Sequence, residues 1–308
     1  MRWSLPTSTT KTIGLAVGLG LGGCELAEPD ADDPTLRTRA VVDGNQAVDG
    51  TPRLAYVGAL FRAAPGLDPS DPDQARQLTV TAVHDRLAAT FEVIGCDAEL
   101  DTDDDTTIGL VLRGCRLLLW TLDAELEARA EIVTEACETE PCAATAIAWD
   151  LDIAELSSRV LDLPGTSFSG PAQLQAPVDP AQPMRWETFP GFVIETRLGR
   201  RLDTVSTASW TIDEDNCVWM DLGARLSLED LDDDIDARVG NVVLSVRGLR
   251  RCPGRCESTG DVQLSFAAGQ VVSWSHDGDD TITVITPRGR SIEVSLPCAE
   301  EREEASSE

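Results

Sequence analysis

Lysine is all but missing from this chain: Lys11 is the only one in 308 residues. Everything beyond residue 11 therefore lacks the amine of Schiff-base chemistry and the lysine of a phosphate-binding loop. Histidine is nearly as scarce, with His84 and His276 alone. Each sits in a polar context read as an exposed strand end or turn, and no His-Glu-x-x-His exists, so the conventional zinc-protease motif is excluded. The nearest approach to Gly-x-Ser-x-Gly is Gly165-Thr166-Ser167-Phe168-Ser169, which ends in serine where glycine belongs. Positive charge is outnumbered: 25 Lys and Arg face 54 Asp and Glu, a net charge of −29. Phosphate contacts need a basic patch, so nucleic acid is not an expected partner. Aromatics make up 5% of the residues, with a single tyrosine but seven tryptophans.

What is present begins with the first twenty-four residues. Arg2 and Lys11 precede an apolar run from Ile13 to Leu21, and no acid appears before Glu25. The run is shorter than the roughly 20 residues that span a bilayer, but it has the build of an export signal. It ends in Leu21-Gly22-Gly23-Cys24. That tetrapeptide resembles the lipobox of bacterial lipoproteins. The resemblance covers residues 1–24 and implies diacylglycerol attachment to Cys24, cleavage before it, and acylation of the new amino terminus. Two or more acyl chains hold a protein stably, so the expected partner is a membrane, reached through the lipid. In many lipoproteins an Asp after the lipidated cysteine retains the protein on the inner membrane. Glu25 stands there instead, and the outer membrane is the expected address.

Nine cysteines less Cys24 leave Cys96, Cys115, Cys137, Cys142, Cys217, Cys252, Cys256 and Cys298. An even set in an exported chain reads as disulfides. Sequence order suggests Cys96–Cys115, Cys137–Cys142, Cys217–Cys252 and Cys256–Cys298, with the last two pairs exchangeable. The competing reading is metal, because the spacing of Cys252 and Cys256 occurs in zinc sites. Two further ligands would be needed, and an oxidising compartment works against free thiolates.

The organisation follows from composition and period. Residues 24–52 are acidic, proline-punctuated and without apolar period, the pattern of a flexible tether. From residue 53 the apolar residues alternate, as in 53–58, 77–82, 91–93 and 147–153. Short alternating runs between turn signals predict antiparallel strands. The fold expected is mainly β, one or two disulfide-stapled sandwiches or small barrels with little helix, divided at about residue 200 into domains 53–200 and 201–298. Leu122 and Leu126 have helical spacing, and an acidic hairpin is the alternative there. The segment 164–190 carries six prolines and reads as an inter-domain connection or surface loop. Trp186, Phe189 and Phe192 at its end are read as anchors to a core. Residues 260–298 predict a four-stranded meander, with Asp277-Gly278 as a strong hairpin signal. Residues 299–308 read as a disordered acidic tail. An Arg-Gly pair lies beside a cysteine in each half, at Arg113-Gly114 and Arg247-Gly248. The Cys137, Cys142 pair, followed by Arg251-Cys252-Pro253-Gly254-Arg255-Cys256 before a glycine-led meander, is similar to lipoproteins predicted in predatory and social soil bacteria. That likeness implies no activity.

Acids cluster at 101–105, 229–236 and 277–280. Alternate aspartates can converge on calcium, and Asp232, Asp234 and Asp236 form the best-spaced set. None matches an EF-hand, and the plainer reading is a solvated acidic turn. No catalytic motif is found and no cofactor is expected beyond that calcium. A non-enzymatic envelope protein that binds or presents an envelope protein or polysaccharide is the leading reading. Two alternatives stay open: a polysaccharide hydrolase with paired carboxylates and Trp186 or Trp274 as sugar platforms, and a calcium-dependent adhesin.

Overall fold

The computed structural model describes Val48, residues 54–64, residue 68 and residues 70–295, leaving out 104–105, 118–119, 135–143, 161–162, 197–200, 230–240, 253–257, 267–268, 270, 279–280 and 287. It is mainly antiparallel sheet, as the sequence predicts. Two helical segments, α1 (54–59) and α2 (Pro72–Ile94), precede every strand. The strands are β1 (Asp97–Asp103), β2 (Thr107–Leu117), β3 (Trp120–Thr134), β4 (Ala144–Val160), β5 (Leu163–Pro177), β6 (Met184–Thr188) and β7 (Val193–Glu195). They continue as β8 (Arg201–Ile212), β9 (Val218–Glu229), β10 (Asn241–Arg251), β11 (Ser258–Phe266), β12 (Val271–Asp277), β13 (Thr281–Ile285) and β14 (Ser291–Ser295). All belong to one sheet in chain order, with β6 and β7 side by side along β5 and β8. The ladder does not break near residue 200: β6 and β7 on one side of it both pair with β8 on the other.

One face of each long strand is apolar, and these faces share a single buried cluster running from Val48 to Val284. The helices fill part of it. Ala75, Thr79, Val83, Leu87 and Phe91 recur every four residues on α2 and are buried, the stripe expected of an amphipathic helix. Fully burying a side chain such as Leu87 contributes roughly 1.5–3 kcal/mol. The start of α2 is set by Asp71, whose carboxylate accepts from the Gln74 N–H at 3.1 Å, and by Pro72 in the first turn. Its end is set by Gly95, with the Cys96 N–H returning to Phe91 O at 3.0 Å. Arg86 holds the preceding loop down by donating to the carbonyls of Leu60 (2.8 Å) and Arg62 (3.2 Å). Trp149 on β4 donates to Phe61 O at 3.0 Å, with the two rings edge to face at 5.3 Å.

Several expectations are corrected. Among the described residues the alternating runs expected at 53–58, 77–82 and 91–93 are not strands: 54–58 lies on α1, and 77–82 and 91–93 lie on α2. The β-branched residues around Thr79-Val80-Thr81 mimic a period of two, while the four-residue stripe and the Asp71-Pro72 cap decide for helix. Leu122 and Leu126 lie in β3, not in a helix. The proline-rich segment 164–190 is not a loop: much of it is β5 and β6. Its prolines are tolerated because the neighbouring strand is interrupted. β6 covers residues 172–175 of β5 and β7 covers 167–169, and Pro171 and Pro177 fall outside both. Trp186 and Phe192 are buried and meet edge to face at 6.1 Å, whereas Phe189 is exposed. The meander appears as β11 to β14.

Two disulfides are present among the described residues, Cys96–Cys115 and Cys217–Cys252. The first ties the end of the α2 turn to β2, and the second ties the β8–β9 turn to the end of β10. Cys137, Cys142, Cys256 and Cys298 lie outside the described residues, as do Cys24, the tether before Val48 and the acidic tail.

Candidate functional site

The outward face of the sheet is polar apart from exposed residues such as Val205, Trp219 and Val243, and at its middle it sinks into an open trough of about 840 Å³. That falls within the roughly 300–1,000 Å³ usual for ligand sites. The trough crosses β5, β6, β8, β9 and β10, roughly 19 Å from first strand to last at ordinary strand spacing. Its position follows from register. Gln173, Glu187, Thr207, Gly223 and Ser245 stand opposite one another on successive strands and form one rung. Gln175, Arg185, Ser209 and Asp221 form the next. The depression lies where the outward residues are small: Thr207, Ser209, Gly223 and Ser245.

On the β5–β6 side the wall is made of long polar side chains. Gln175 donates to the Gln173 side-chain carbonyl at 3.2 Å, and Gln173 donates to Asp150 at 2.7 Å. This relay fixes which way both amides point and leaves the Gln175 carbonyl as an acceptor at the trough. On the β10 side Arg247 stands beside a bulge. Arg247 and Gly248 together face the single residue Asp221, and the Gly248 N–H donates to the Asp221 carboxylate at 2.7 Å. A bulge bends its strand and re-aims side chains, so Asp221 positions Arg247. The side chains of Arg185, Glu187, Thr207, Ser209 and Arg247 make no hydrogen bond or ion pair among the described residues.

One rung beyond Asp221, Trp219 is 43% exposed. Its indole donates to Asp213 at 3.1 Å, and the Arg250 guanidinium lies 5.5 Å from its ring centre. Arg250 also reaches Asp213 at 3.2 Å and Asp215 at 3.5 Å. Partial burial would raise the Asp213 pKa, but the Cys217 N–H, the Trp219 indole and Arg250 outweigh it and hold the carboxyl below its ordinary value. Tyr56 on α1 donates to Asn216 O at 2.6 Å in the same turn. Burial first, and the Asp213 charge second, push its phenol up to about 12. The hub braces the β8–β9 turn that Cys217–Cys252 pins.

The residues singled out in the sequence are not brought together. His84 is not at a strand end but on α2, half-exposed beside Asp85. His276 is not an exposed turn residue: it is buried on β12, because the Asp-Gly hairpin begins one residue later. Trp186 and Trp274, the sugar platforms of the hydrolase reading, both face the interior. Asp232, Asp234 and Asp236 lie outside the described residues. Among the described residues no group of three or more His, Cys, Asp and Glu is placed to hold a metal ion.

No protein-family model, curated protein or solved structure matches this chain. The site therefore rests on its own chemistry. The signal that could have found it is the pairing of polar residues two apart: Gln173 and Gln175, Arg185 and Glu187, Thr207 and Ser209. Each pair is visible in one strand, but their alignment exists only in the ladder.

Proposed function

We propose that this chain is a lipid-anchored protein of the bacterial cell envelope, held through Cys24 on the outer membrane, that binds a ligand in the trough across β5 to β10 and does not transform it. The observation carrying the reading is the convergence of Arg185, Glu187, Thr207, Ser209 and Arg247 on one depression, where their side chains have no hydrogen-bond or ion-pair partner among the described residues. Hydrogen-bonding groups placed in this way serve recognition.

The carboxylates also favour binding over hydrolysis. Glu187 and Asp221 line the trough two strands and two residues apart. Glycoside hydrolysis needs two carboxyl groups directed at the scissile bond, and the Asp221 carboxylate is engaged instead by the Gly248 N–H at the bulge. The anchor is tested by the intact mass of the protein purified from membranes, before and after alkylation. The expected species begins at Cys24, carries lipid, and gains alkyl groups at its other cysteines only after reduction. A soluble, unlipidated species, or thiols that react without reduction, overturns the anchored reading.

A further inference from the structure

Resting on that reading, we infer that the ligand of the trough is an uncharged, hydroxyl-rich glycan chain. The charge pattern points there first. The chain carries −29 overall, yet the trough holds two cations, Arg185 and Arg247, and two anions, Glu187 and Asp221. An anionic polymer would meet both carboxylates and the repulsion of the whole surface. A cationic one would find denser acid elsewhere on the protein. A neutral ligand is the one for which a charge-balanced site in an acidic protein is an advantage.

The type of side chain narrows the class. Protein and peptide partners are held by buried aromatic or aliphatic anchors, and the outward residues of the trough offer no pocket for one. Its apolar lining residues, such as Trp186, Leu222 and Val246, belong to the buried inner face. Strand addition is closed as well, because the strands beneath the trough are interior to the sheet and backbone pairing needs a free edge. A sugar hydroxyl both donates and accepts. The trough supplies guanidinium donors, the Glu187 carboxylate, the Gln175 carbonyl, and Thr and Ser hydroxyls that do either. Trp219, beyond the trough on the same face and 43% exposed, offers the part of its ring that Arg250 does not cover to the apolar side of a sugar.

The test uses the full-length protein in detergent, titrated with chitopentaose, cellopentaose and mannopentaose as neutral probes. A galacturonate pentamer and an uncharged peptide serve as the contrasting classes, with isothermal titration as the readout. At least one neutral oligosaccharide is expected to bind with little dependence on salt. Gly223→Leu should fill the floor without disturbing the strand, since a Cβ there meets only Thr207 Oγ1 at 3.8 Å. Arg247→Ala removes a wall group that holds nothing else in place. Arg247→Ala should weaken binding about tenfold or more, the scale of a lost charge-assisted hydrogen bond, and Gly223→Leu should weaken it by occupying the floor, with melting temperature as the folding control. If only the galacturonate or the peptide binds, and Gly223→Leu abolishes it, the glycan assignment fails and the trough stands as the site. If neutral sugars bind indifferently to both variants, or no probe shows trough-dependent binding, the trough itself is wrong.

Discussion

The backbone N–H of Gly248 donates to the Asp221 carboxylate at 2.7 Å, and the same relationship recurs between Gly114 and Asp123 at 2.8 Å. Each glycine follows an arginine, each lies in the left-handed region with φ of 58° and 62°, and in each case Arg and Gly stand opposite one Asp. The Arg-Gly likeness between the two halves of the sequence is thus one bulge used twice. Asp221→Ala should cost about 1–2 kcal/mol and Asp221→Asn less, because an amide oxygen still accepts. Gly248→Ala should cost about 1 kcal/mol, a purely backbone effect, since nothing lies within 4 Å of the added Cβ. Gly260→Ala should cost clearly more, because its Cβ would fall 2.6 Å from Leu249 Cα across the bulge. Urea denaturation midpoints give the order, and equal costs at 248 and 260 would contradict the bulge geometry.

The two described disulfides should contribute unequally. In the chain-entropy account a longer closed loop constrains the unfolded state more. Cys217–Cys252, at a separation of 35 residues, should contribute about 4 kcal/mol, and Cys96–Cys115, at 19, about 3 kcal/mol. Paired Cys→Ser variants compared by denaturation check both. Loss of Cys217–Cys252 should also loosen the turn that holds Asp213 beside Trp219, read as faster exchange of the backbone amides at positions 215 and 217.

Tyr56 is the only tyrosine in the chain, so its titration can be followed without ambiguity by tyrosinate absorbance. The folded protein should titrate near pH 12, against about 10 for a free phenol. The unfolded chain loses this proton first. Stability should therefore be unaffected by Tyr56 below pH 10 and fall as pH rises from 10 towards 12. Tyr56→Phe should remove that alkaline dependence and cost about 1 kcal/mol at neutral pH through the lost bond to Asn216 O. A folded midpoint near 10 would show that the phenol is not engaged.

Legibility in the sequence varied with the range of the interaction responsible. The closing meander, β8 and β9 could be read from alternation and turn residues. The helix 72–94 could not be read from its β-branched middle, although its Asp71 cap and Gly95 were both in view. The strand at 163–177 was hidden by prolines, whose tolerance depends on where β6 stops and β7 starts. Asp277-Gly278 makes His276 read as a turn residue, and one residue of register places it in the core instead.

The sequence by itself pointed to the β-rich class, the strongly acidic surface, the export-signal pattern and the Cys96–Cys115 pair, because each depends on composition or on short-range order, while Cys217–Cys252 stayed exchangeable with Cys256–Cys298 until the fold brought its partners together. Only the tertiary structure decided the rest: one sheet rather than two, and a trough assembled from five strands. A rung such as Gln173, Glu187, Thr207, Gly223 and Ser245 joins residues far apart in the chain. A shift of one residue in any ladder would turn that strand's polar residues into the core, so the site is a property of register, which no single strand encodes.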